Sequence, residues 1–323
     1  MSSSAIMKPR TISVLLWIFA VLIFAVCPNG LSTQGQDAFA VVLGNAQDAG
    51  FPQSNCKKDC CKKAWANPEL RRFATSIAIV DKKNKSKLLF ECSPHYPDQI
   101  HYLDRMLEEQ VRTFDLKGIF LTHAHVGHYA GLIHLGREVE GSQQTPVFVM
   151  PRMREFLIGN GPWSQLVELK NISLRRLTAG EKTKVGMFEI TPLLVPHRDE
   201  FSETVGFRIQ GPKKRILFLP DIDKWERWER RIEDEIRKVD IALLDGTFFD
   251  GKELPGRDMS RIPHPFVVES IKRFSRLPKK EKRKIHFIHL NHTNKLLQAG
   301  SKESMDLQRS GMKMAKQYQV FPL

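Results

Sequence analysis

Cysteine is scarce in this sequence, five in 323 residues, and one of the five, Cys27, falls in an apolar N-terminal run. No internal repeat is visible and no low-complexity linker divides the chain, so nothing in the pattern separates a second globular domain. No nucleic-acid-binding motif is present. The formal net charge is +14, with pI near 9.6. That excess is spread through short runs such as "GPKKR" near Lys213 and "RLPKKEKRK" near Lys279, and no aromatic residues interleave with them. The pattern disfavours nucleic acid as a partner and fits solvated loops and helix ends. Disorder is excluded as well: 41% of the residues are hydrophobic, with 20 Phe and 5 Trp, enough for a sizeable core.

Lys8 and Arg10 precede "TISVLLWIFAVLIFAVC", residues 11–27. A charged start followed by an apolar run is the pattern of a secretory signal, and the run is short for a membrane span of about 20 residues. Residues 1–35 are therefore expected to be a signal peptide or an N-terminal anchor, with cleavage better placed after "STQG" than before Pro28. The domain at 38–323 is expected to be exported, periplasmic or extracellular, and to meet a membrane only through residues 11–27 if these are uncleaved. Export permits disulfides among Cys56, Cys60, Cys61 and Cys92. The cluster "NCKKDCCKK" can instead hold a structural zinc through Cys56, Cys60 and Cys61, and the spacing leaves both readings open.

Short apolar runs recur: "AFAVVLG", "ATSIAIVD", "KLLFEC", "GIFLTH", "TPVFVMP", "FEITPLLVPH", "TVGFRI", "RILFLPD", "VDIALLDG" and "KIHFIHL". Their Val, Ile and Phe content and their bounding Gly, Pro and Asp predict strands. Helical patterns lie between them, in "PDQIHYLDRMLEEQ", "GHYAGLIHLGREV", "KWERWERRIEDEIRKV", "HPFVVESIKRF" and residues 304–318. Strand clusters followed by alternating helices and strands predict an α/β fold of two packed sheets with helices outside.

Histidine is also sparse, 11 in the chain, yet "LTHAHVGHYAGL" places His123, His125 and His128 within six positions. In an extended segment alternate side chains point the same way, and His128 falls where the chain turns toward a helix. Three imidazoles can thus face one region, and neutral imidazole suits zinc and iron. Further along, apolar strands deliver His197, Asp221, Asp245 and His289 at or near their ends, where α/β proteins place their chemistry.

The ordered set His123, His125, His128, His197, Asp221 and His289 resembles the ligand series of the metallo-β-lactamase fold superfamily. The resemblance covers nearly the whole chain beyond residue 38 and implies an αββα sandwich of two mixed β-sheets flanked by helices. "VLGNAQDAGFPQSNC" and "FIHLNHTN" resemble the pyrroloquinoline quinone biosynthesis protein B branch, whose members carry a structural zinc in a cysteine cluster. The spacing around Cys56, Cys60 and Cys61 departs from theirs. By position, the resemblance implies a first metal site of His123, His125 and His197. It implies a second of His128, Asp221 and His289, with Asp221 bridging. Asp221 and Asp245 are the catalytic candidates, Asp245 through the second shell or proton transfer. A metal-activated water near pKa 7 would be the nucleophile.

Gly127 breaks the pattern, because the superfamily usually has Asp there as a ligand of the second metal. One tight zinc and a weaker second site are expected, with His292 or Asp245 as a substitute donor and iron or manganese as alternatives to zinc. Gly127→Asp is expected to raise second-metal occupancy. Arg198, Asp199, Glu200 and Glu203 could orient imidazoles or be solvated loop charges. His264 reads as a capping or packing residue, with lining of the cleft as the alternative, Trp163 as a packing residue, with a substrate wall as the alternative, and His95, His101, His134 and His286 as surface or core histidines. The leading function is an exported hydrolase of a small-molecule ester, amide, thioester or phosphodiester. Two alternatives stand beside it: an iron-dependent oxidoreductase-type enzyme and a non-catalytic metal-binding protein. The oligomeric state is not legible.

Overall fold

The run "AFAVVLG" forms β1 (Ala38–Gly44), buried along its whole length. Because side chains alternate across a strand, it feeds two cores at once. Ala38, Ala40 and Val42 pack into one and Phe39, Val41 and Leu43 into the other. A strand apolar on both faces must lie in a sheet covered on both sides. The structure, a computed structural model, describes Met1, residues 37–107 and residues 114–323. The signal or anchor expected over residues 1–35 lies outside the described residues. No helix among the described residues is long and apolar enough to cross a membrane.

Each of two sheets has seven strands. The first holds β1, β2 (Ser76–Asp81), β3 (Ser86–Phe90), β4 (Asp115–Phe120), β5 (Thr145–Val149) and β6 (Ile172–Arg176). The second holds β7 (Thr183–Val185), β8 (Phe188–Leu194), β9 (Val205–Gln210), β10 (Arg215–Leu219), β11 (Ile241–Asp245), β12 (Ile285–Ile288) and β13 (Lys313–Met314). The chain then returns to the first sheet as β14 (Val320–Pro322), antiparallel to β1. Strands β1 to β3 pair antiparallel, and β3 to β6 pair in parallel. In the second sheet β7 to β10 are antiparallel and β10 to β13 parallel.

Between the sheets lies an aromatic core. Phe120 stacks on Phe90 at 4.9 Å and on Phe148 at 4.3 Å, and Phe207 meets Phe90 edge-on at 5.4 Å. Each fully buried Phe contributes about 1.5–3 kcal/mol of apolar burial. Helix Tyr96–Leu107 and helices Pro151–Gly159 and Trp163–Glu168 cover the outside of the first sheet. Helices Ile232–Arg237, Val267–Arg273 and Lys302–Arg309 cover the second. This is the αββα sandwich of two mixed sheets that the sequence implies.

Three helical patterns fold differently. "GHYAGLIHLGREV" yields one short turn, Val126–Tyr129, and a 3-10 segment, Ala130–Leu135. The stretch 224–239 splits into a 3-10 turn, Trp225–Arg227, and helix Ile232–Arg237. Trp225, Trp228, Ile232 and Ile236 are all buried, but the Trp228 indole donates to Leu194 O at 2.7 Å, which holds the segment out of a continuous helix. The last helix stops at Arg309 and gives way to β13 and β14.

Candidate metal centre

The parallel strands bring their C-terminal ends to one edge of the sandwich, where open sheets place ligand sites. His123 and His125 follow β4, and His128 lies on the turn Val126–Tyr129. His197 follows β8, Asp221 follows β10, Asp245 ends β11 and His289 follows β12. All lie at least half-buried, and His123, His128, Asp221, Asp245 and His289 are essentially closed off from solvent.

Donor atoms of His123, His125, His197 and Asp221 fall within 4.8 Å of one another. Asp221 Oδ2 lies 3.4 Å from His123 Nε2 and 3.3 Å from His197 Nε2. The hydrogen-bond network assigns the tautomers. Thr122 Oγ1 donates to Glu91 Oε1 at 2.5 Å, so it accepts from His123 Nδ1 at 2.8 Å. His125 Nε2 donates to Glu200 Oε2 at 2.9 Å. The lone pairs left on His123 Nε2 and His125 Nδ1 then face each other across 2.7 Å, a separation that calls for a shared cation. Burial pushes the pKa of both rings down, which keeps them neutral ligands.

A second group, Asp48, His128 and His289, also converges within 4.8 Å. Asp48 Oδ1 lies 3.3 Å from His128 Nε2 and 3.6 Å from His289 Nε2. Asp221 Oδ2 stands 3.7 Å from His128 Nε2 and so faces both groups. Thr247 Oγ1 donates to Asp245 Oδ1 at 2.7 Å and accepts from His289 Nδ1 at 3.0 Å. The second histidine is thus oriented as the first is, by a carboxylate acting through a threonine. Glu91 Oε1 lies 3.1 Å from His128 Nδ1. Burial alone would depress His128, but the charges of Glu91 and Asp48 hold it well above the ordinary histidine range. Negative charge there calls for a proton or a metal.

Buried atoms without a hydrogen-bond partner gather at this edge: Asp48 Oδ1, His128 Nε2, His197 Nε2, Asp221 Oδ1 and His289 Nε2. Orphaned buried donors and acceptors are costly, and a dication facing them removes the cost. The residues present fit a metal centre.

Asp245 is fully buried with both oxygens engaged, Oδ1 by Thr247 and Oδ2 by the Ile222 amide at 3.1 Å and His264 Nδ1 at 2.9 Å. Its place is behind the cleft, as a positioning residue. His264, read from sequence as a capping or packing residue, also reaches Asp221 Oδ1 at 3.1 Å. Despite its burial, the charges of Asp245 and Asp221 raise its pKa to about 10, so it stands as a cation. Among the loop charges, Glu200 alone touches an imidazole of the centre. Thr204 donates to Asp199 at 2.8 Å, Glu203 accepts from the Arg152 amide, and Arg198 lies 3.9 Å from Glu200. Trp163 packs on Tyr129 and Phe156. Of the other histidines, His95 accepts from the Ala74 amide, His134 stacks on Tyr96, and His286 is buried against Phe321.

His292, offered as a substitute donor for the second site, is elsewhere. Its Nδ1 lies 3.3 Å from Cys61 Sγ and 3.7 Å from Cys60 Sγ. Cys56 and Cys60 are 3.8 Å apart at sulfur and Cys60 and Cys61 4.0 Å, and none is in a disulfide. Two zinc–sulfur bonds of about 2.3 Å at a tetrahedral angle put sulfurs about 3.8 Å apart. Three thiols and one imidazole therefore fit a tetrahedral structural zinc, and the pairing alternative is not formed.

Asp48 and Glu91 are cleft residues that no sequence pattern pointed to, and His264 takes the cleft-lining place that stood as its alternative. Gly127 lies against Asp48: a Cβ added there would sit 2.1 Å from Asp48 Oδ1 and 2.4 Å from Asp48 Cα. Gly127→Asp would thus drive Asp48 away, the reverse of the gain in second-metal occupancy expected from sequence.

Residues 86–287 match the family described as "Beta-lactamase superfamily domain". The chain belongs to the metallo-β-lactamase superfamily. It is 26% identical over 300 residues to coenzyme PQQ synthesis protein B of Xanthomonas oryzae pv. oryzae (strain MAFF 311018), covering 85% of this chain and 96% of that protein. The crystal structure of Zn2+-bound PqqB from Methylobacterium extorquens superposes with a TM-score of 0.75 at 23% identity, covering 88% of this chain and all of that one. A diphosphatase of the PhnP family superposes at 0.61 and 18% identity, covering 88% and 96%. The structural neighbours share the superfamily fold.

Proposed function

We propose that this metallo-β-lactamase superfamily member is a metal-dependent hydrolase of small-molecule esters, thioesters, amides or phosphodiesters. The observation that carries the reading is the pair of lone pairs facing each other on His123 and His125, closed by His197 Nε2 and Asp221 Oδ2. These four residues would hold the first ion, with zinc the expected metal. His128, His289 and the shared Asp221 would hold a second. Such ions, when bound, supply Lewis acidity and lower the pKa of a coordinated water to about 7.

The chain's own residues do the rest. Burial would raise the Asp221 carboxyl, but the ring of imidazoles around it, His197, His264 and His289 foremost, holds it well below the usual range, so it is an anion at any working pH. The His264 ring lies 3.1 Å from Asp221 Oδ1, and Oδ2 is turned toward the imidazoles of both groups. Access is from the side of His125, where Glu200, Val126 and Phe201 are exposed. Phe201 packs on Phe156 at 5.4 Å and gives that side an apolar wall for the substrate. Export through residues 1–35 stays part of the proposal and rests on the charged-then-apolar start of the sequence.

A second reading, an iron-dependent oxidoreductase-type enzyme, draws on the 26% identity to coenzyme PQQ synthesis protein B and on a cleft donor set of nitrogen and oxygen alone, which also suits iron. Anaerobic purification followed by metal analysis and a panel of ester and phosphodiester substrates separates the two. Zinc with turnover abolished by His123→Ala supports the hydrolase. Full metal loading with no turnover across the panel, or iron with oxygen consumption, overturns it.

A further inference from the structure

We propose that Asp48, from the loop after β1, is the carboxylate ligand of the second metal, occupying the room that Gly127 leaves beside His128. This rests on the reading of the cleft as a metal centre and assigns the donor which that reading lacks. His128 and His289 supply two nitrogens, and Asp221 is shared with the first group. Asp48 Oδ1 is within 3.3 Å of one of these nitrogens and 3.6 Å of the other. The side chain keeps 33% exposure, but Oδ1 itself is shut off from solvent and lacks a hydrogen-bond partner. A buried carboxylate oxygen in that state is costly unless a cation faces it. Two dications close together also need anionic ligands to offset their repulsion, and Asp48 adds a second carboxylate to Asp221.

The loop is held in place for this task. The Gln47 amide donates to Leu290 O at 2.8 Å, and Asn291 Nδ2 donates to Gln47 Oε1 at 2.7 Å. The residues after His289 thus grip the residue before Asp48, which fixes the two donors relative to each other. Ala46 bridges both Ala74 and Leu290, so the loop is tied to both sheets. On the other side only glycine fits at 127. A Cβ would meet the Asp48 backbone at 2.4 Å, a clash with main chain that side-chain rotation cannot relieve. Glycine at 127 and aspartate at 48 are therefore one arrangement: the helix turn gives up its side chain and the β1 loop supplies the carboxylate.

The test counts ions without relying on turnover. Wild type, Asp48→Ala and Gly127→Ala are stripped of metal and titrated with Co2+, whose thiolate absorption marks the cysteine cluster and separates it from ions in the cleft. Expected is that both variants keep the cluster ion and one cleft ion, while affinity for the other cleft ion falls about a hundredfold or more. Two cleft ions bound by Asp48→Ala with wild-type affinity would overturn the assignment and leave the hydrolase reading standing. Absence of cleft ions from the wild type would overturn both. Should Gly127→Ala fold poorly, Asp48→Ala decides alone, since removing a partly exposed side chain leaves the core intact.

Discussion

Asp245 and Thr247 are joined by a hydrogen bond of 2.7 Å from Oγ1 to Oδ1, and through it a carboxylate buried behind the cleft orients His289. Thr247→Val keeps the shape and removes the hydroxyl. His289 is then free to turn or change tautomer. Affinity for the second cleft ion is expected to fall about 10–100-fold with the first ion unaffected. The change leaves buried groups short of a partner, so stability drops by about 1–3 kcal/mol. Competition with a coloured chelator and a denaturant melt check the two effects.

Cys61 and His292 meet at 3.3 Å in a cluster that joins helix Asp59–Ala66 to the segment after β12. Cys61→Ser should remove one tightly held ion and lower the melting midpoint by at least about 5 °C, because structural metal binding is folding free energy. Adding chelator should lower the wild-type midpoint by a similar amount and change the variant little. Equal melting of the two proteins would deny the cluster a structural role.

The first cleft group was legible because each member follows closely on an apolar strand, and strand ends can be read from local pattern. Asp48 was not, because its approach to His128 and His289 depends on the loop after β1 meeting the turn after β4 and the segment after β12, which no local period encodes. His292 misled for a related reason. It stands three residues past His289, close enough in sequence to share its site. His289, however, takes a left-handed backbone with φ of 64°, and the chain beyond it turns toward the cysteines. His264 sits in a loop without periodicity, and only the folded structure brings it to Asp245. The sandwich itself was legible from the order of its runs, strand clusters followed by alternating helices and strands, and from the resemblance that the spaced ligand residues carry. The helix expected over 224–239 failed because tertiary packing of Trp228 outweighed its helical spacing.

Acid should destabilise the protein in a defined window. Burial depresses the pKa of His286 to about 4, whereas an unfolded histidine titrates near 6.5. Between these values the unfolded chain binds a proton that the folded chain refuses, so stability falls as pH drops from about 6.5 toward 4. The full effect is about 3 kcal/mol. His286→Gln should flatten that part of the stability profile, measured by urea melts at several pH values. An unchanged slope would assign the acid loss to other groups.

Phe120 stacks between Phe90 and Phe148 and ends the strand that leads to His123. Phe120→Ala should cost about 3–5 kcal/mol without removing a ligand. Protein that stays folded should bind metal with near-normal stoichiometry, read by elemental analysis beside a thermal melt. Loss of metal at full foldedness would show that the ligands depend on this core more closely than their own hydrogen bonds suggest.

His123, His125, His197 and Asp221 are placed to hold a metal ion beyond the strand ends. The most direct measurement is metal content per chain in protein purified without added metal, compared between wild type and His197→Ala. The variant should hold less metal in the cleft and keep the cysteine-cluster ion. Identical metal content and affinity in the two proteins would contradict it.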